Sequence, residues 1–235
     1  MTFSSLRRST GALLPMLLGA LSLTWQLQSC AAEPVSIPPP AMDNPRAAGP
    51  PQTAVLSGGC FWGVQGVYEH VRGVQKVIAG YAGGSQATAH YDMVSTGTTG
   101  HAESVQITFD PGQISYGEIL HIFFSVVHDP TQLDRQGPDT GSQYRSDIEY
   151  VNDTQKRIAL AYVSQLNSAH VYARPIVTRV DELKGFYAAE SYHQDYMTHN
   201  PTSPYIAIND LPKVRSLQRA FPDYYTGRPV LVSRE

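Results

Sequence analysis

The sequence predicts an α+β fold: a two-layer sandwich in which helices pack on a mixed, mainly antiparallel sheet with a ferredoxin-like core. Three observations support this prediction. Segments with the period of a strand alternate with segments with the period of a helix, no internal repeat is visible, and the length of 235 residues suits one sizeable domain. The tail, residues 201–235, is expected to form an irregular C-terminal wrap with one short helix near 213–220.

The elements of this fold can be placed in chain order. Strands are expected at 53–57, 74–84, 102–110, 146–151 and 173–183, and helices at 60–72, 115–128 and 152–168. In the second helix Ser115 is the expected N-cap, and Glu118 three positions later completes a capping-box pattern. Residues 129–146 form a polar stretch that is too long for a simple connecting loop in a compact domain. Residues 186–200 are polar and aromatic and are expected to be partly helical.

Residues 1–32 have the pattern of a signal peptide. Arg7 and Arg8 precede an apolar run of about 15 residues, which is too short for a comfortable membrane span. Cys30 follows in a context that resembles a bacterial lipoprotein box, although Gln28 is atypical there. Lipid attachment at Cys30 and simple cleavage beside the following alanines therefore stay open as alternatives. In both cases the protein is expected to be exported, and to be periplasmic or lipid-anchored in the bacterial envelope.

Residues 33–52 are rich in proline and alanine and have no hydrophobic periodicity, which predicts an extended linker. A single folded domain is then expected over residues 53–235. Only 16% of the residues are charged, and Lys and Arg form no basic stripe, so nucleic acid is not expected as a partner.

The chain holds two cysteines, Cys30 and Cys60. Lipid attachment would convert the Cys30 sulfur to a thioether, and cleavage beyond it would remove the residue, so one free thiol remains in either case. A single cysteine is most often a small core residue. A lone thiol in an oxidising compartment, however, is unusual and suggests chemistry.

Cys60 lies where a predicted strand meets a predicted helix. The unpaired amide groups of a first helical turn favour a thiolate there. Gly58 and Gly59 allow a tight turn and leave the backbone open to a ligand. Phe61 and Trp62 act in the opposite direction, because an apolar wall raises the pKa of a thiol. The sequence therefore predicts a thiol that is activated when substrate is present.

Five motifs then occur in a specific order: SGGCFWG (57–63), GYAGG (80–84), GHAE (100–103), HDPTQ (128–132) and QGPDTGSQYRS (136–146). In this order they closely resemble the A-type peptide methionine sulfoxide reductases, and the likeness covers about residues 54–200. GCFWG together with GHAE and QYRS is a highly specific signal. The resemblance implies thiol-dependent reduction of methionine-S-sulfoxide, in proteins or free, by a monomer with no bound cofactor and no metal.

The chemistry of such a reduction makes the implied roles understandable. A sulfoxide oxygen is a poor leaving group unless it is protonated, so the reaction needs a thiolate and an acid. The resemblance implies that Cys60 is the nucleophile, which becomes a sulfenic acid, and that Glu103 is the acid. Glu103 must then be neutral near pH 7, and burial is expected to raise its pKa. Gly59, directly before the thiol, is expected to border the bound substrate.

The resemblance implies further pocket residues. Tyr91 and Tyr144 would hydrogen-bond the sulfoxide oxygen, and Phe61 and Trp62 would hold the methyl group of the substrate. Asp139 would be a polar residue of the same pocket. Taken singly, an acid at a strand start fits a surface charge, and tyrosines fit core residues. Only their joint spacing with GCFWG favours the active-site interpretation.

Three positions depart from the family pattern. Members often carry resolving cysteines nearer the C-terminus, whereas this chain has none after Cys60, and Ser95 stands where some relatives have a further cysteine. A thioredoxin-like protein or a small thiol is therefore expected to reduce the Cys60 sulfenic acid. Ala89 replaces a common proline and Pro138 a common asparagine, both in loops next to pocket residues.

Two other kinds of enzyme site stay open at this point. Cys60 would be an acyl-transfer or protease nucleophile if a histidine lay beside it, although the local signatures of those families are absent. The histidines available for such a pair are His70, His101, His128 and His193. A metal site is weaker, since Glu190 with His193, and His121 with His128, supply no full ligand set.

A non-enzymatic alternative also stays open. The chain would then be a surface-anchored binding module with an aromatic groove for peptides, and its 14 tyrosines suit such a groove.

Overall fold

A computed structural model describes residues 1–2 and 36–232 of the chain. The predictions of a signal peptide and of lipid attachment at Cys30 fall outside these described residues. Within them, every helix is too short or too polar to cross a membrane.

Residues 36–232 form eight strands and six α-helices. The strands are β1 (Gln52–Gly58), β2 (Val74–Ala82), β3 (Ala102–Phe109), β4 (Arg135–Gln136), β5 (Asp139–Thr140), β6 (Ser146–Tyr150), β7 (Arg179–Glu182) and β8 (Phe186–Ala188). The helices are α1 (Phe61–Glu69), α2 (Tyr91–Val94), α3 (Tyr116–Ile122), α4 (Asp153–Ser168), α5 (Tyr196–His199) and α6 (Leu211–Ala220). Single 3₁₀ or π turns at 86–88, 123–127, 142–144, 191–193 and 206–210 join them.

Six of the strands form one mixed sheet in the order β7-β6-β1-β3-β2-β8. The four central strands are antiparallel to one another, β8 is antiparallel to β2, and β7 is parallel to β6. The central order β6-β1-β3-β2, with α1 and α3 in the two crossovers, is the ferredoxin-like arrangement. This confirms the predicted α+β fold with a mainly antiparallel sheet. β4 and β5 form a separate hairpin.

The register of the sheet positions the thiol and the acid. Gly58, the last residue of β1, pairs with Ser146, the first of β6. Glu103, the second residue of β3, pairs with Tyr81 near the end of β2. Because neighbouring strands are antiparallel, the end of β1 lies beside the starts of β3 and β6. Cys60 follows β1 and therefore leaves the sheet at this same edge.

The core follows the periodicities that predicted the elements. Leu56 on β1 and Val105 and Ile107 on β3 alternate toward one face, and all three are fully buried. They belong to one apolar cluster with Val64 and Val67, which lie three residues apart on α1. Apolar side chains spaced by two residues on the strands thus pack against apolar side chains spaced by about 3.6 residues on the helix, at a single interface.

The helix expected at 115–128 is present as α3, and a π turn over Phe123–Val127 continues it. Its capping box is confirmed: the Glu118 N–H donates to Ser115 Oγ at 3.1 Å, and the Ser115 N–H donates to the Glu118 carboxylate at 2.7 Å. The C-terminal helix is also present, and it begins at Leu211, earlier than expected.

One predicted strand was wrong in detail, and one strand was not predicted. The strand expected at 173–183 is regular only over β7, because upstream of it the Val177 N–H bonds instead to the carbonyl of Pro130. Residues 186–200 are partly helical, as expected, with a 3₁₀ turn at 191–193 and α5, but they begin with β8, which was not expected. This short strand covers the free edge of β2, a long-range pairing that no local pattern reveals.

The N-terminal strap, residues 36–51, lacks regular secondary structure, in agreement with its composition, but it is not a free spacer. Ile37 is buried, and its carbonyl accepts a hydrogen bond from His121 on α3 at 3.0 Å. The Asp43 carboxylate accepts the Gly117 N–H at 2.9 Å, at the start of the same helix. The strap therefore packs across α3, because donors on that helix bond to the Ile37 carbonyl and to the Asp43 carboxylate.

Candidate active site

Cys60 is the N-cap residue of α1 and is 8% exposed. Gly59 has φ +94°, in the left-handed region that favours glycine. A Cβ at this position would also lie 2.7 Å from the side chain of Gln136, so space and backbone both require glycine. The predicted turn from strand through glycine to helix is thus present, with the thiol at the helix start.

Opposing influences act on this thiol. Burial raises its pKa most, and the carboxyl groups of Glu103 and Asp210 raise it further. The backbone N–H of Trp62, which bonds to the sulfur, and the ammonium group of Lys213 lower it. Burial dominates, so the pKa of Cys60 stands well above its ordinary value. Without substrate the residue is therefore a protonated thiol at neutral pH.

Glu103 is the carboxyl group next to the thiol and is 3% exposed. Burial raises its pKa to about 8, the hydrogen bond from the Phe61 N–H (3.0 Å) lowers it, and the charges of Asp139 and Asp210 raise it. The expected burial and raised pKa of Glu103 are both present. At pH 7 this carboxyl group carries its proton in most molecules.

The two predicted phenols reach the same site from different elements. Tyr91 is the first residue of α2, and its N–H donates to Glu190 at 2.9 Å, which ties that helix to the segment after β8. Tyr144 ends the turn just before β6. Burial, and then the charges of Glu103 and Cys60, raise the pKa of both phenols. Both hydroxyls are therefore neutral donors, and they lie near enough to the thiol and the acid for the charges of those groups to act on them.

Trp62 is a partly exposed aromatic residue of the site. Its ring stacks on Tyr196 with centroids 3.8 Å apart, and it meets Tyr205 edge-on at 5.9 Å. Its Nε1 donates to Nδ1 of His193 at 3.1 Å, which fixes the plane of the indole. Phe61 differs from Trp62, because it is only 1% exposed and its ring centroid lies 5.8 Å from that of Tyr81 and 5.0 Å from that of His193.

Several residues of the C-terminal region reach this site that the sequence did not predict. The Tyr205 hydroxyl donates to Asp139, which stands on the β4–β5 hairpin. Asp210 is fully buried and paired with Lys213 at 3.1 Å. The only signal in the sequence was the concentration of aromatic residues after position 186, which marks no particular residue.

The histidines considered as partners of Cys60 are engaged elsewhere. His128 Nε2 bonds to Ser146 Oγ at 2.7 Å, and His70 Nδ1 bonds to the Gly66 carbonyl at 2.7 Å. The His101 ring lies between the Gly84 N–H and the Ser85 carbonyl. These contacts, with that of His193 to Trp62, are structural and argue against a cysteine–histidine pair.

The pairs considered as metal ligands also lack a complete site. Glu190 bonds to Tyr81 and to the backbone of Tyr91. In the part of the chain that the structure describes, no three His, Cys, Asp or Glu side chains are arranged to hold a metal ion.

A buried thiol at a helix start, a neutral carboxylic acid beside it and two phenol donors, all on an α+β sandwich, define a thiol-dependent oxidoreductase site. The family profile described as peptide methionine sulfoxide reductase matches residues 52–224. This chain belongs to that family, as a methionine sulfoxide reductase of the A type. The resemblance found in the motifs is confirmed.

Individual relatives agree. The chain is 56% identical over 191 residues to the peptide methionine sulfoxide reductase MsrA 2 of Mesorhizobium japonicum, a match that covers 81% of this chain and 97% of the relative. It is 50% identical over 190 residues to MsrA 2 of Synechocystis sp., with coverages of 80% and 89%. The solved methionine sulfoxide reductase A of Corynebacterium diphtheriae superposes with a TM-score of 0.57 at 32% identity, over 67% of this chain and 79% of that chain. The reduced form of Mxr1 from Saccharomyces cerevisiae superposes with a TM-score of 0.60 at 29% identity, over 69% of this chain and 92% of that chain.

Proposed function

We propose that the chain reduces the S epimer of methionine sulfoxide, in proteins or free, through a sulfenic acid formed on Cys60. The observation that carries the proposal is the neutral carboxyl group of Glu103 beside the buried thiol. An acid with a pKa of about 8 keeps its proton at neutral pH and can still give it to a sulfoxide oxygen.

In the proposed reaction the oxygen moves from the substrate sulfur to Sγ of Cys60. The sulfoxide S–O bond breaks, an Sγ–O bond forms, and the electron pair stays with the methionine sulfur. Cys60 is oxidised by two electrons to a sulfenic acid, and methionine leaves. Cys60 loses its proton to water when the substrate binds, and the backbone N–H of Trp62 stabilises the thiolate. Glu103 supplies a proton to the oxygen during the transfer and afterwards takes one back from water, so that no net proton is consumed.

The surrounding side chains suit the substrate. The indole of Trp62, held between Tyr196, Tyr205 and His193, offers an apolar wall for the methyl group. The hydroxyls of Tyr91 and Tyr144 would donate to the sulfoxide oxygen, where negative charge develops. Phe61 would support this wall from below, and Asp139, fixed by Tyr205, would border it.

An external thiol would return Cys60 to its starting state. One thiol displaces water from the sulfenic acid and forms a mixed disulfide, and a second thiol then releases Cys60 and leaves as a disulfide. Cys60 is a free cysteine, and the chain has no other cysteine after it. We propose a thioredoxin-like protein or a small thiol as the donor.

The proposed setting is the bacterial envelope, where the enzyme would repair oxidised exported proteins as a monomer, either periplasmic or lipid-anchored. The basic and apolar pattern of residues 1–32 supports export. Intact-mass measurement of the mature N-terminus tests this: a diacylglyceryl Cys30 shows the anchor, a cut beyond it shows a periplasmic form, and an uncleaved start contradicts export. Light scattering tests the monomer.

The central test is methionine formation from a methionine-sulfoxide peptide with dithiothreitol, followed by mass spectrometry, with the two epimers in separate reactions. Wild type should convert the S epimer, and Cys60→Ser should convert neither. Trapping with dimedone should label Cys60 after one turnover without reductant. Turnover by Cys60→Ser, or a wild type that yields no methionine, would refute the proposal.

A further inference from the structure

The start of α6 brings a buried ion pair to the catalytic helix. Asp210 immediately precedes α6 and is fully buried, and its Oδ1 lies 3.1 Å from Nζ of Lys213. The Lys213 side chain is 20% exposed, because it lines a cavity of about 450 Å³ together with Gln136 and Asn209. The Lys213 side chain therefore keeps contact with water.

The pair lies directly against the first turn of α1. A Cβ on Gly63 would come within 2.1 Å of Asp210 Oδ1 and 2.8 Å of Lys213 Nζ. Any side chain at Gly63 would therefore push the pair away from the helix that starts with Cys60. This close approach explains the last glycine of the motif SGGCFWG, which neither backbone strain nor a turn requires.

A purely structural role fits this pair poorly. The Oδ2 atom of Asp210 is buried, and no described residue donates a hydrogen bond to it. A buried carboxylate with an unsatisfied oxygen costs stability, and an apolar pair of similar volume is often at least as stable. Lys213 compensates only one of the two oxygens.

The charges of the pair act on the reacting groups with opposite signs. Lys213 lowers the pKa of Cys60, whereas Asp210 raises the pKa of Cys60, of Glu103 and of Tyr205. The other ionisable groups around the thiol come from several elements: Glu103 on β3, Tyr91 on α2, Asp139 on β5, Tyr144 before β6 and Tyr205 before α6. Among these neighbours Lys213 is the positive charge that acts on the thiol.

We propose that Asp210 and Lys213 are a positioning pair for the reaction: Lys213 stabilises the Cys60 thiolate, and Asp210 holds the ammonium group against α1 and keeps the proton on Glu103. This inference rests on the proposed roles of Cys60 as nucleophile and Glu103 as acid. It gives the C-terminal region a function at the thiol although that region contributes no cysteine.

The two members of the pair therefore predict opposite effects. Lys213→Met leaves the buried Asp210 charge uncompensated, so the pKa of Cys60 rises. Asp210→Asn keeps the volume against Gly63 but removes the negative charge, so the pKa of Cys60 falls. Lys213→Arg keeps a positive charge and should stay close to wild type.

The experiment is the rate of iodoacetamide alkylation of Cys60 across pH, read by mass spectrometry of the Cys60 peptide so that Cys30 does not contribute. At a fixed pH below the pKa of Cys60, a variant whose thiol pKa is lower by about 1 has about ten times the thiolate fraction and reacts about tenfold faster. Lys213→Met should be slower than wild type and Asp210→Asn faster. Arg215→Met, which removes an exposed cation of the same helix, is the matched control and should match wild type.

Steady-state turnover gives a second readout. Lys213→Met should lower kcat with little change in KM, because the substrate wall does not include Lys213, and Lys213→Arg should restore it. Unchanged alkylation profiles, or changes of the same sign in Lys213→Met and Asp210→Asn, would overturn the pair's role. Alkylation needs no sulfoxide and therefore tests the pair separately from the proposed function. If the alkylation rates of Lys213→Met and Asp210→Asn change in opposite directions while wild type forms no methionine, the electrostatic effect of the pair is supported and only the proposed function is rejected.

Discussion

Two glutamates in this molecule each accept a hydrogen bond from a backbone N–H at the start of a helix. Glu103 accepts from Phe61 at 3.0 Å, at the start of α1, and Glu118 accepts from Ser115 at 2.7 Å, at the start of α3. In spite of this shared contact, the pKa of Glu103 is raised to about 8 and that of Glu118 is lowered to about 2.

The difference comes from burial and from cationic partners. Burial governs Glu103, whose hydrogen bond from Phe61 is too weak to offset it. Burial also raises the pKa of Glu118, but hydrogen bonds from Arg46, Tyr224 and Ser115 outweigh it. A helix N-terminus alone therefore does not decide whether a carboxyl group is ionised. One glutamate is kept neutral and suits a proton donor; the other is kept charged and ties the N-terminal strap to the domain.

Removal of the acidic proton of Glu103 should affect activity more strongly than any other change to these two glutamates. Glu103→Gln keeps the shape of the side chain but has no acidic proton, so kcat for methionine formation at pH 7 should fall roughly 10²–10⁴-fold, the usual contribution of a general acid. Glu118→Gln is the matched control and should keep the wild-type kcat. Wild-type rates for Glu103→Gln would remove Glu103 from the acid role.

The two glutamates should also give stability opposite dependences on pH, measured as the free energy of unfolding in urea. Relative to an ordinary pKa of 4.5, the folded state binds the Glu103 proton more tightly, so its contribution is lost as pH rises from about 4.5 through about 8. The Glu118 contribution is present above about 4.5 and is lost as pH falls toward about 2. In each Gln variant, the pH dependence of the free energy of unfolding should disappear over the pH range in which the replaced glutamate acts. Loss of the pH dependence over the same range in both variants would contradict the opposite pKa changes.

Glu118→Gln at neutral pH should lower the free energy of unfolding by about 1–3 kcal/mol, because it weakens charge-assisted hydrogen bonds with Arg46 and the capping box of α3. Asp153→Asn, an acid in the first turn of α4, is the control and should cost less than about 1 kcal/mol, since mainly the helix dipole is affected. Equal losses for both variants would mean that the strap contacts add nothing.

The smallest effect is expected from the hydroxyl that joins the strap to the C-terminal wrap. Tyr224 donates to Glu118 and lies against Arg46, so Tyr224→Phe should cost about 0.5–1.5 kcal/mol and speed hydrogen exchange in the strap. The neighbouring Tyr225→Phe should leave exchange in the strap unchanged. A strap equally protected in both variants would show that this contact does not hold it.

The sequence predicted the parts of the fold that depend on local periodicity. The central strands, α1, α4 and the capping box of α3 all follow from the spacing of apolar and capping residues. β8 was missed because its three residues pair with the edge of β2, and the expected strand at 173–183 was shortened because residues upstream of β7 bond to another loop. Long-range pairing overrides local pattern at such edges.

The active site divides in the same way. Cys60, Glu103 and Tyr144 could be predicted because they stand in motifs of high specificity, and Tyr91 because of its spacing to those motifs. Asp210, Lys213 and Tyr205 could not, since they lie far along the chain in a region without a motif. Gly63 lies against Asp210 and Lys213, but this close contact is not shown by the sequence.

By itself the sequence determined the α+β architecture, the family and the placement of one thiol at a strand-to-helix turn, because these depend on local spacing and on motif order. Only the tertiary structure decided the charge states around that thiol. Burial sets the pKa of Glu103, and burial together with a charge from a distant part of the chain sets that of Cys60, through Lys213, and that of Glu118, through Arg46. Burial and such contacts exist only once the chain has packed.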